Sequence, residues 1–105
     1  MKLKRDYSKV LDRDLMAACI EGDGEAWVAL LQRYQRLIYS VPIRYGFTQE
    51  DAADIFQNVC LVLLNSLAQL REPDRLGSWL ITVTRRECGR HKRSWTQEHL
   101  VRDTD

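Results

Sequence analysis

The sequence lacks several features that would place it in a specialised class. No apolar run approaches the roughly 18 residues that a membrane-spanning helix needs, and no apolar segment follows the basic N-terminus as in a signal peptide. The three cysteines, Cys19, Cys60 and Cys88, are odd in number, lie far apart and form no C-x-x-C pair. These absences argue against a disulfide scaffold and a structural zinc site. We therefore expect a cytoplasmic protein without a membrane partner.

Motifs of catalysis are also missing. The sequence has no nucleophile elbow, no Gly-rich phosphate loop and no H-E-x-x-H, and its only histidines are His91 and His99. Cys88 and His91 are three residues apart and could share a metal, but no third ligand is obvious. Asp51 and Asp54 have no partner base or metal nearby and are more simply read as exposed helix charges. We expect neither an enzyme nor a bound cofactor or metal.

The residues that are present fit one small helical domain. The 105 residues are 45% hydrophobic and 30% charged, which is typical of a single globular domain. Apolar residues recur at spacings of three and four, with no alternating strand pattern and no hairpin signal. This spacing predicts an all-α fold, a compact bundle of three to four helices. We expect the helical domain over residues 12–93, a basic arm over residues 1–11, and a tail or the start of a linker over residues 94–105.

Capping and stop signals divide this domain into four predicted helices, over about residues 12–21, 23–45, 48–70 and 74–93. Asp12 and Thr48 are the predicted N-caps of the first and third helices. Pro42 is expected to kink or loosen the last turn of the second. The predicted buried positions are Leu15, Met16, Cys19 and Ile20; Trp27, Leu30, Leu31, Tyr34, Leu37, Ile38 and Val41; Ala52, Ile55, Phe56, Val59, Leu63, Leu67 and Leu70; and Leu76, Leu80, Val83 and Glu87.

The net charge of +1 conceals an uneven distribution of charge. Residues 48–70 carry three acidic side chains and no basic one, whereas residues 71–95 carry seven basic and three acidic side chains. An acidic segment followed at once by a basic one indicates two surfaces with different partners. Two unrelated solvated helix faces are the alternative that charge alone leaves open.

The third predicted helix has a second face that is acidic and rich in amides. Asp51, Asp54, Asn58, Leu61 and Asn65 follow one another at spacings of three and four. A leucine among polar residues suits docking on a basic partner helix, with the leucine as its apolar anchor. A single exposed leucine is also common on ordinary surfaces, and this alternative stays open.

The fourth predicted helix combines basic residues with an aromatic ring near its start. One stripe carries Trp79, Thr82, Arg86, Arg90 and Arg93, and Arg85, Gly89 and Lys92 flank it. Guanidinium groups suit phosphates, and a flat ring suits the stacking of unpaired bases. In the alternative interpretation, the ring belongs wholly to the core and the arginines are only solvated.

Four stretches in register resemble one known family. They are residues 14–27, with Gly-Asp before an Ala-aromatic pair; Arg33-Tyr34; residues 51–59 (DAADIFQNV); and Ser78-Trp79-Leu80, followed by the arginine-rich helix. Together, residues 14–93 resemble the region-two domain of a bacterial RNA polymerase sigma factor of the extracytoplasmic-function (ECF) class. The motifs are individually weak, and the ordered set carries the resemblance.

The resemblance implies a transcription initiation factor that binds the β′ clamp helices of core RNA polymerase. It also implies recognition and melting of the promoter's minus-ten element, by capture of the non-template strand in the loop over about residues 70–77. An anti-sigma factor is a further partner that the resemblance allows. The implied polymerase-binding residues are Asp51, Asp54, Gln57, Asn58 and Leu61. The implied DNA-binding residues are Arg71, Arg75, Trp79, Arg85, Arg86, Arg90, Lys92 and Arg93.

The sequence also departs from the family pattern. Asn58 stands where Glu is usual, and Arg86 stands where a small polar residue such as Asn is common, so the base preference is left open. The loop over residues 71–77 keeps the usual length but not the usual residues, and we expect the family's second domain, which reads the minus-thirty-five element, to be absent. A small helical module that binds duplex DNA or another protein is the alternative function.

Overall fold

The described part of the chain folds into four α-helices joined by short connections. The computed structural model describes residues 6–70 and 72–103 and, of their side chains, those up to residue 93. Within these ranges there is no strand, and the prediction of an all-α bundle is confirmed. The helices are α1 (Asp12–Ile20), α2 (Gly24–Arg44), α3 (Gln49–Ser66) and α4 (Leu76–Asp103), with 3₁₀ turns at Leu67–Gln69 and Pro73–Arg75 between the last two.

Side-chain hydrogen bonds explain where α2 and α3 begin. Asp23 Oδ1 accepts hydrogen bonds from the backbone N–H groups of Glu25 and Ala26, at 3.0 and 3.3 Å. Thr48 Oγ1 accepts one from the backbone N–H of Asp51 at 3.1 Å. The first N–H groups of a helix have no partner within it, so these caps stabilise both starts. The N-cap predicted at Thr48 is confirmed.

The start of α1 differs from the prediction. Leu11, not Asp12, occupies the N-cap position, and no side chain caps the helix there. Asp12 is the first helical residue, and its carboxylate accepts hydrogen bonds from Arg33 Nη1, at 2.9 Å, and from the hydroxyl of Tyr34. Both donors belong to α2, so the Asp12 side chain joins α1 to α2 instead of capping its own helix.

Pro42 lies in the last turn of α2. This residue does not stop the helix, which runs on to Arg44. Beyond it, the backbone N–H of Tyr45 is shared between the carbonyls of Val41, at 3.2 Å, and Pro42, at 3.1 Å. Such shared hydrogen bonds are common at the ends of helices, so the loosening expected at Pro42 stays a prediction. Gly46 follows with φ at 85°, a left-handed conformation that favours glycine and ends the helix.

Helix α2 lies at the centre of the bundle, where it contacts α1, α3 and α4, and α3 also packs against α4. Most predicted core positions are buried or half-buried, including Glu87. Ile20 is an exception, because 55% of it is exposed. It is the last residue of α1 and lies at the edge of that helix's apolar stripe. The largest fully buried side chains are Leu15, Leu30, Ile38, Ile55, Leu63, Leu67, Leu76, Leu80, Val59, Val83, Thr84 and Pro42.

Helix α4 is longer than the sequence predicts. It continues beyond Arg93, where we expect it to fade, and reaches Asp103. Residues 94–103 contain neither proline nor glycine, so no residue of the usual stop type interrupts the helix. The expected tail is therefore helical as far as it is described. None of the helices described here is long and apolar enough to span a membrane.

Candidate functional site

Helix α3 presents an exposed surface that we call the α3 outer face. It is turned outward because Ala52, Ile55, Val59 and Leu63, on the opposite side of the helix, are buried in the core. Leu61 is 53% exposed, so its side chain lies on the surface, as the prediction of an apolar anchor requires. The α3 outer face consists of Asp54, Gln57, Asn58, Leu61, Leu64 and Asn65, all of them exposed.

A second leucine widens this surface. Leu64 is 56% exposed and lies one helical turn beyond Leu61. It is not among the residues predicted from the sequence, although its spacing of three from Leu61 places it on the same face. Two neighbouring exposed leucines on one helix form a broader apolar patch than a single side chain does.

Asp51 is set apart from the other predicted polymerase-binding residues. Its side chain is only partly exposed, and its Oδ1 lies 3.2 Å from Nε2 of His91 on α4. The ring of Phe47 meets the His91 ring edge-on, with 5.6 Å between their centroids. Asp51 therefore contributes to the junction between α3 and α4 as well as lying beside the α3 outer face.

The same junction contains a small cavity of about 230 Å³. Its lining brings together Asn58 of the α3 outer face with Glu87, Arg90 and His91 of α4. Glu87 is nearly buried, and its carboxylate pairs with the guanidinium of Arg90 at 3.3 Å. Buried carboxylates need such a partner, so Arg90 has a role within the fold besides any role in binding.

Helix α4 presents a second exposed surface, which we call the α4 basic face. It faces outward because Leu76, Leu80, Val83 and Thr84 hold the other side of α4 in the core, where Thr84 Oγ1 donates to the Leu80 carbonyl. Such a cluster of cations attracts anions, and phosphates above all. The α4 basic face consists of Arg85, Arg86, Gly89, Lys92 and Arg93, and all four of its charged side chains are exposed.

Trp79 lies at the border between the core and an open cleft of about 430 Å³. The ring is half-buried, packing against the hydrophobic core with part of its surface exposed. The ring therefore does not belong wholly to the core, as the alternative interpretation expects. The cleft is lined by Gln69, Leu70, Glu72, Arg75, Ser78, Trp79 and Thr82.

The other predicted DNA-binding residues are arranged around this cleft and along α4. Arg75 lines the cleft and pairs with Glu72, with 2.6 Å between Nε and Oε2. Arg86 does not line it, and lies one helical turn beyond Thr82 on the same side of α4. Arg71 lies outside the described residues. The described residues of the two predicted sets thus lie on α3 and on α4 with the turn before it, and the sets meet at the cavity that Asn58 and Arg90 line.

The described residues show no group of three or more His, Cys, Asp or Glu side chains that could hold a metal ion. His91 is directed at Asp51, and Cys88 is buried. Burial, with a smaller contribution from the Glu87 charge, raises the pKa of the Cys88 thiol. Burial also raises the pKa of Cys60. Both thiols are therefore protonated at neutral pH and weakly reactive.

Comparison with known proteins identifies one family model that matches the chain. The family model for sigma-70 region 2 matches residues 30–97, well over half of the chain. The match includes most of α2, all of α3 and most of α4, and with them both surfaces described above. Neither the comparison with curated proteins nor that with solved structures gave a match. The chain belongs to the sigma-70 region 2 family, whose domains are not enzymes but bind core RNA polymerase and take part in promoter recognition.

Proposed function

We propose that this chain is a region-two domain of the ECF class. In this proposal, it docks the α3 outer face on the β′ clamp helices and captures the non-template strand of the minus-ten element at the Trp79 cleft. The observation that carries the proposal is the placement of an exposed leucine pair and a half-buried tryptophan on adjacent, packed helices. One rigid unit can then hold polymerase and DNA together, in the cytoplasm, where an anti-sigma factor is a further expected partner.

The composition of the α3 outer face supports the polymerase half of the proposal. Leu61 and Leu64 form an apolar centre, and Asp54, Gln57 and Asn58 surround it with polar groups. Apolar anchors inside a polar rim are typical of protein interfaces with concentrated binding energy. The negative charge of Asp54 complements the positive charge of a basic partner helix.

The Trp79 cleft supports the DNA half of the proposal. The exposed part of the Trp79 ring offers a surface on which a base can stack. Gln69, Ser78 and Thr82 place hydrogen-bonding side chains in the same cleft. At its edge Arg75, which pairs with Glu72, supplies a guanidinium group. Flipping a base out of its stack costs a few kcal/mol, which a preformed cleft of this kind can offset.

Charges along α4 extend this site toward the DNA backbone. Arg85, Arg86, Lys92 and Arg93 are exposed, and Arg90 is largely exposed despite its pairing with Glu87. These side chains suit phosphates on either side of the captured base. Because phosphate contacts do not depend on sequence, base preference in this proposal resides in the cleft.

Calorimetric titration of the chain with an isolated β′ clamp-helix fragment, and with core RNA polymerase, tests the polymerase half. We expect saturable binding that Leu61→Asp weakens by at least about tenfold, because a charge enters the apolar centre. Ile20→Asp is the matched control, since Ile20 is equally exposed but lies on α1. Absence of binding by the folded wild-type chain, or equal loss in both variants, would contradict the proposal.

A duplex-binding module is the second candidate, and the continuous α4 basic face is the observation that favours it. Binding assays with single-stranded and duplex DNA separate the two candidates. A sigma domain binds DNA weakly alone and prefers the single strand once polymerase holds it. Tight binding to duplex DNA without polymerase, with no preference for single strands, would favour the module.

A further inference from the structure

Gly89 occupies a position in α4 for which the fold itself offers no reason. Its φ is not in the left-handed region. A Cβ built on it would approach Nη1 of Arg93 at 3.8 Å, an ordinary contact with the end of a flexible side chain. The described part of the protein therefore has room for alanine at this position.

The other glycines differ from Gly89 in having a structural reason or a terminal location. Gly22 and Gly46 have φ values of 96° and 85°, which favour glycine. A Cβ on Gly77 would contact Tyr34 and Leu37 of α2, at 3.6 and 4.0 Å. Gly24 is the first residue of α2. Gly89 alone combines a helix-interior position with neither a left-handed φ nor a contact that its Cβ would make with another helix.

The surroundings of Gly89 are basic on every side along the helix surface. Residues three and four positions away are neighbours on a helix, and for Gly89 these are Arg85, Arg86, Lys92 and Arg93. All four side chains are exposed. The helix thus has a gap without a side chain, surrounded by four cations.

The glycine within α4 and the cluster of cations around it are both unfavourable for an isolated helix. Glycine within a helix is destabilising compared with alanine, because the unfolded chain loses more conformational freedom. Like charges on neighbouring helix positions repel one another. An anion bound among the cations removes the repulsion, and the missing side chain lets that anion approach the helix closely.

We propose that one phosphate of a nucleic-acid backbone binds against Gly89, at a site that we call the phosphate seat. The hydrogen-bond donors of this site are Arg85, Arg86, Lys92 and Arg93. The backbone N–H groups in the middle of α4 are already used within the helix, so the side chains supply the hydrogen bonds and Gly89 supplies the space. This inference rests on the proposed nucleic-acid binding. It adds that close approach at Gly89, and not charge alone, fixes where the strand crosses α4.

The test is the binding of the full chain to a fluorescein-labelled pool of single-stranded DNA of random sequence, measured by anisotropy at several salt concentrations. A random pool is suitable because a phosphate contact does not depend on sequence. Gly89→Ala is expected to weaken binding by about threefold to tenfold through the displaced phosphate. It should also reduce the slope of log affinity against log salt by about 0.7, as expected for one lost contact.

Thermal unfolding of Gly89→Ala should show a gain in stability where DNA binding shows a loss. Gly89→Ala should raise Tm by about 4 to 8 °C, because alanine favours the helix. Weaker binding by a more stable protein cannot result from loss of folding. Gly24→Ala is the matched control, since a Cβ there meets nothing within 4 Å and α2 lies outside the basic face. It should leave both affinity and salt slope unchanged.

The outcomes of these measurements distinguish failure of the phosphate seat from failure of the proposed nucleic-acid binding. Wild-type affinity and salt slope in Gly89→Ala, with measurable DNA binding by the wild type, would overturn the phosphate seat and leave the proposed function standing. A wild-type chain that binds no DNA even at low salt would overturn the nucleic-acid half of the proposed function, and the seat with it. Equal weakening in Gly24→Ala would also overturn the seat.

Discussion

Nε2 of His91 lies 3.2 Å from Oδ1 of Asp51 and joins the middle of α4 to the first turn of α3. The two residues are 40 positions apart in the chain, and neither is fully buried. Because Asp51 is close in sequence to the α3 outer face, this contact is one of those that join that face to α4. The α3 outer face and the α4 basic face are therefore connected by a specific side-chain pair as well as through the core.

A double-mutant cycle measures how much this pair contributes. Asp51→Ala and His91→Ala should each lower the free energy of unfolding, and the double variant should lose less than the sum. We expect a coupling energy of about 0.5 to 1 kcal/mol, because both side chains are partly exposed. Urea denaturation of the four proteins gives this value. Additive losses would show that the observed contact does not stabilise the fold.

The half-buried position of Trp79 predicts two separable effects of Trp79→Ala. Stability should fall by about 1 to 3 kcal/mol, less than for a fully buried ring. Binding to single-stranded DNA should also fall, because the stacking surface is lost. Trp27→Ala is the matched control, since Trp27 also packs partly against the core but does not line the cleft.

The comparison between the two tryptophan variants decides the role of the ring. Both should be destabilised in denaturation experiments, and only Trp79→Ala should lose DNA binding at a temperature where both are folded. Equal DNA binding by the two variants would mean that Trp79 serves the core alone.

Arg90 and Arg86 should behave differently although both are exposed arginines of α4. Arg90→Ala removes the partner of the nearly buried Glu87 carboxylate and should cost about 1 to 3 kcal/mol of stability. Arg86→Ala should change stability by less than about 0.5 kcal/mol. Adding Glu87→Gln to Arg90→Ala should restore part of the loss, because the unpaired charge is removed. Equal stability of the two single variants in urea denaturation would contradict the role of Arg90 in the fold.

Local signals in the sequence were sufficient to predict most of the fold. Asp23 and Thr48 cap helices through bonds that reach only two or three residues along the chain, and the starts of α2 and α3 follow from them. The end of α4 was harder to predict, because residues 94–103 contain no stop signal and the apolar pattern fades there. Asp12 was misassigned as a cap because its partners, Arg33 and Tyr34, belong to another helix.

The candidate site also combines features of single helices, which the sequence predicts, with contacts between helices, which it does not. Helical spacing predicts the α4 basic face and most of the α3 outer face, because each face belongs to one helix. Leu64 was missed, although its spacing of three from Leu61 places it on the same face. The contacts of Asp51 with His91, and the cavity that Asn58 shares with Arg90, depend on how two helices pack. Periodicity within one helix carries no information about that packing, so these relationships emerge only from the structure.

Tyr34 predicts a loss of stability at alkaline pH. Burial, and then the hydrogen bond and charge of Asp12, raise the pKa of the Tyr34 hydroxyl to about 12. The folded protein therefore holds this proton more tightly than the unfolded chain, in which the pKa is about 10. The resulting stability is fully present below pH 10 and is lost as the pH rises toward 12. Urea denaturation between pH 8 and pH 11.5 should show the free energy of unfolding declining over this range.

Tyr34→Phe separates this effect from other groups that titrate at high pH. Burial, with a smaller contribution from Asp23, raises the pKa of Cys19 to about 11. Titration of this thiol therefore also lowers the free energy of unfolding as the pH rises. That contribution is common to the wild type and to Tyr34→Phe and cancels when their free energies of unfolding are subtracted. The difference should be about 1 kcal/mol up to pH 10, reflecting the lost hydrogen bond to Asp12, and should shrink above it. A difference that stays constant to pH 11.5 would mean that the Tyr34 proton is held no more tightly in the folded state than in the unfolded one.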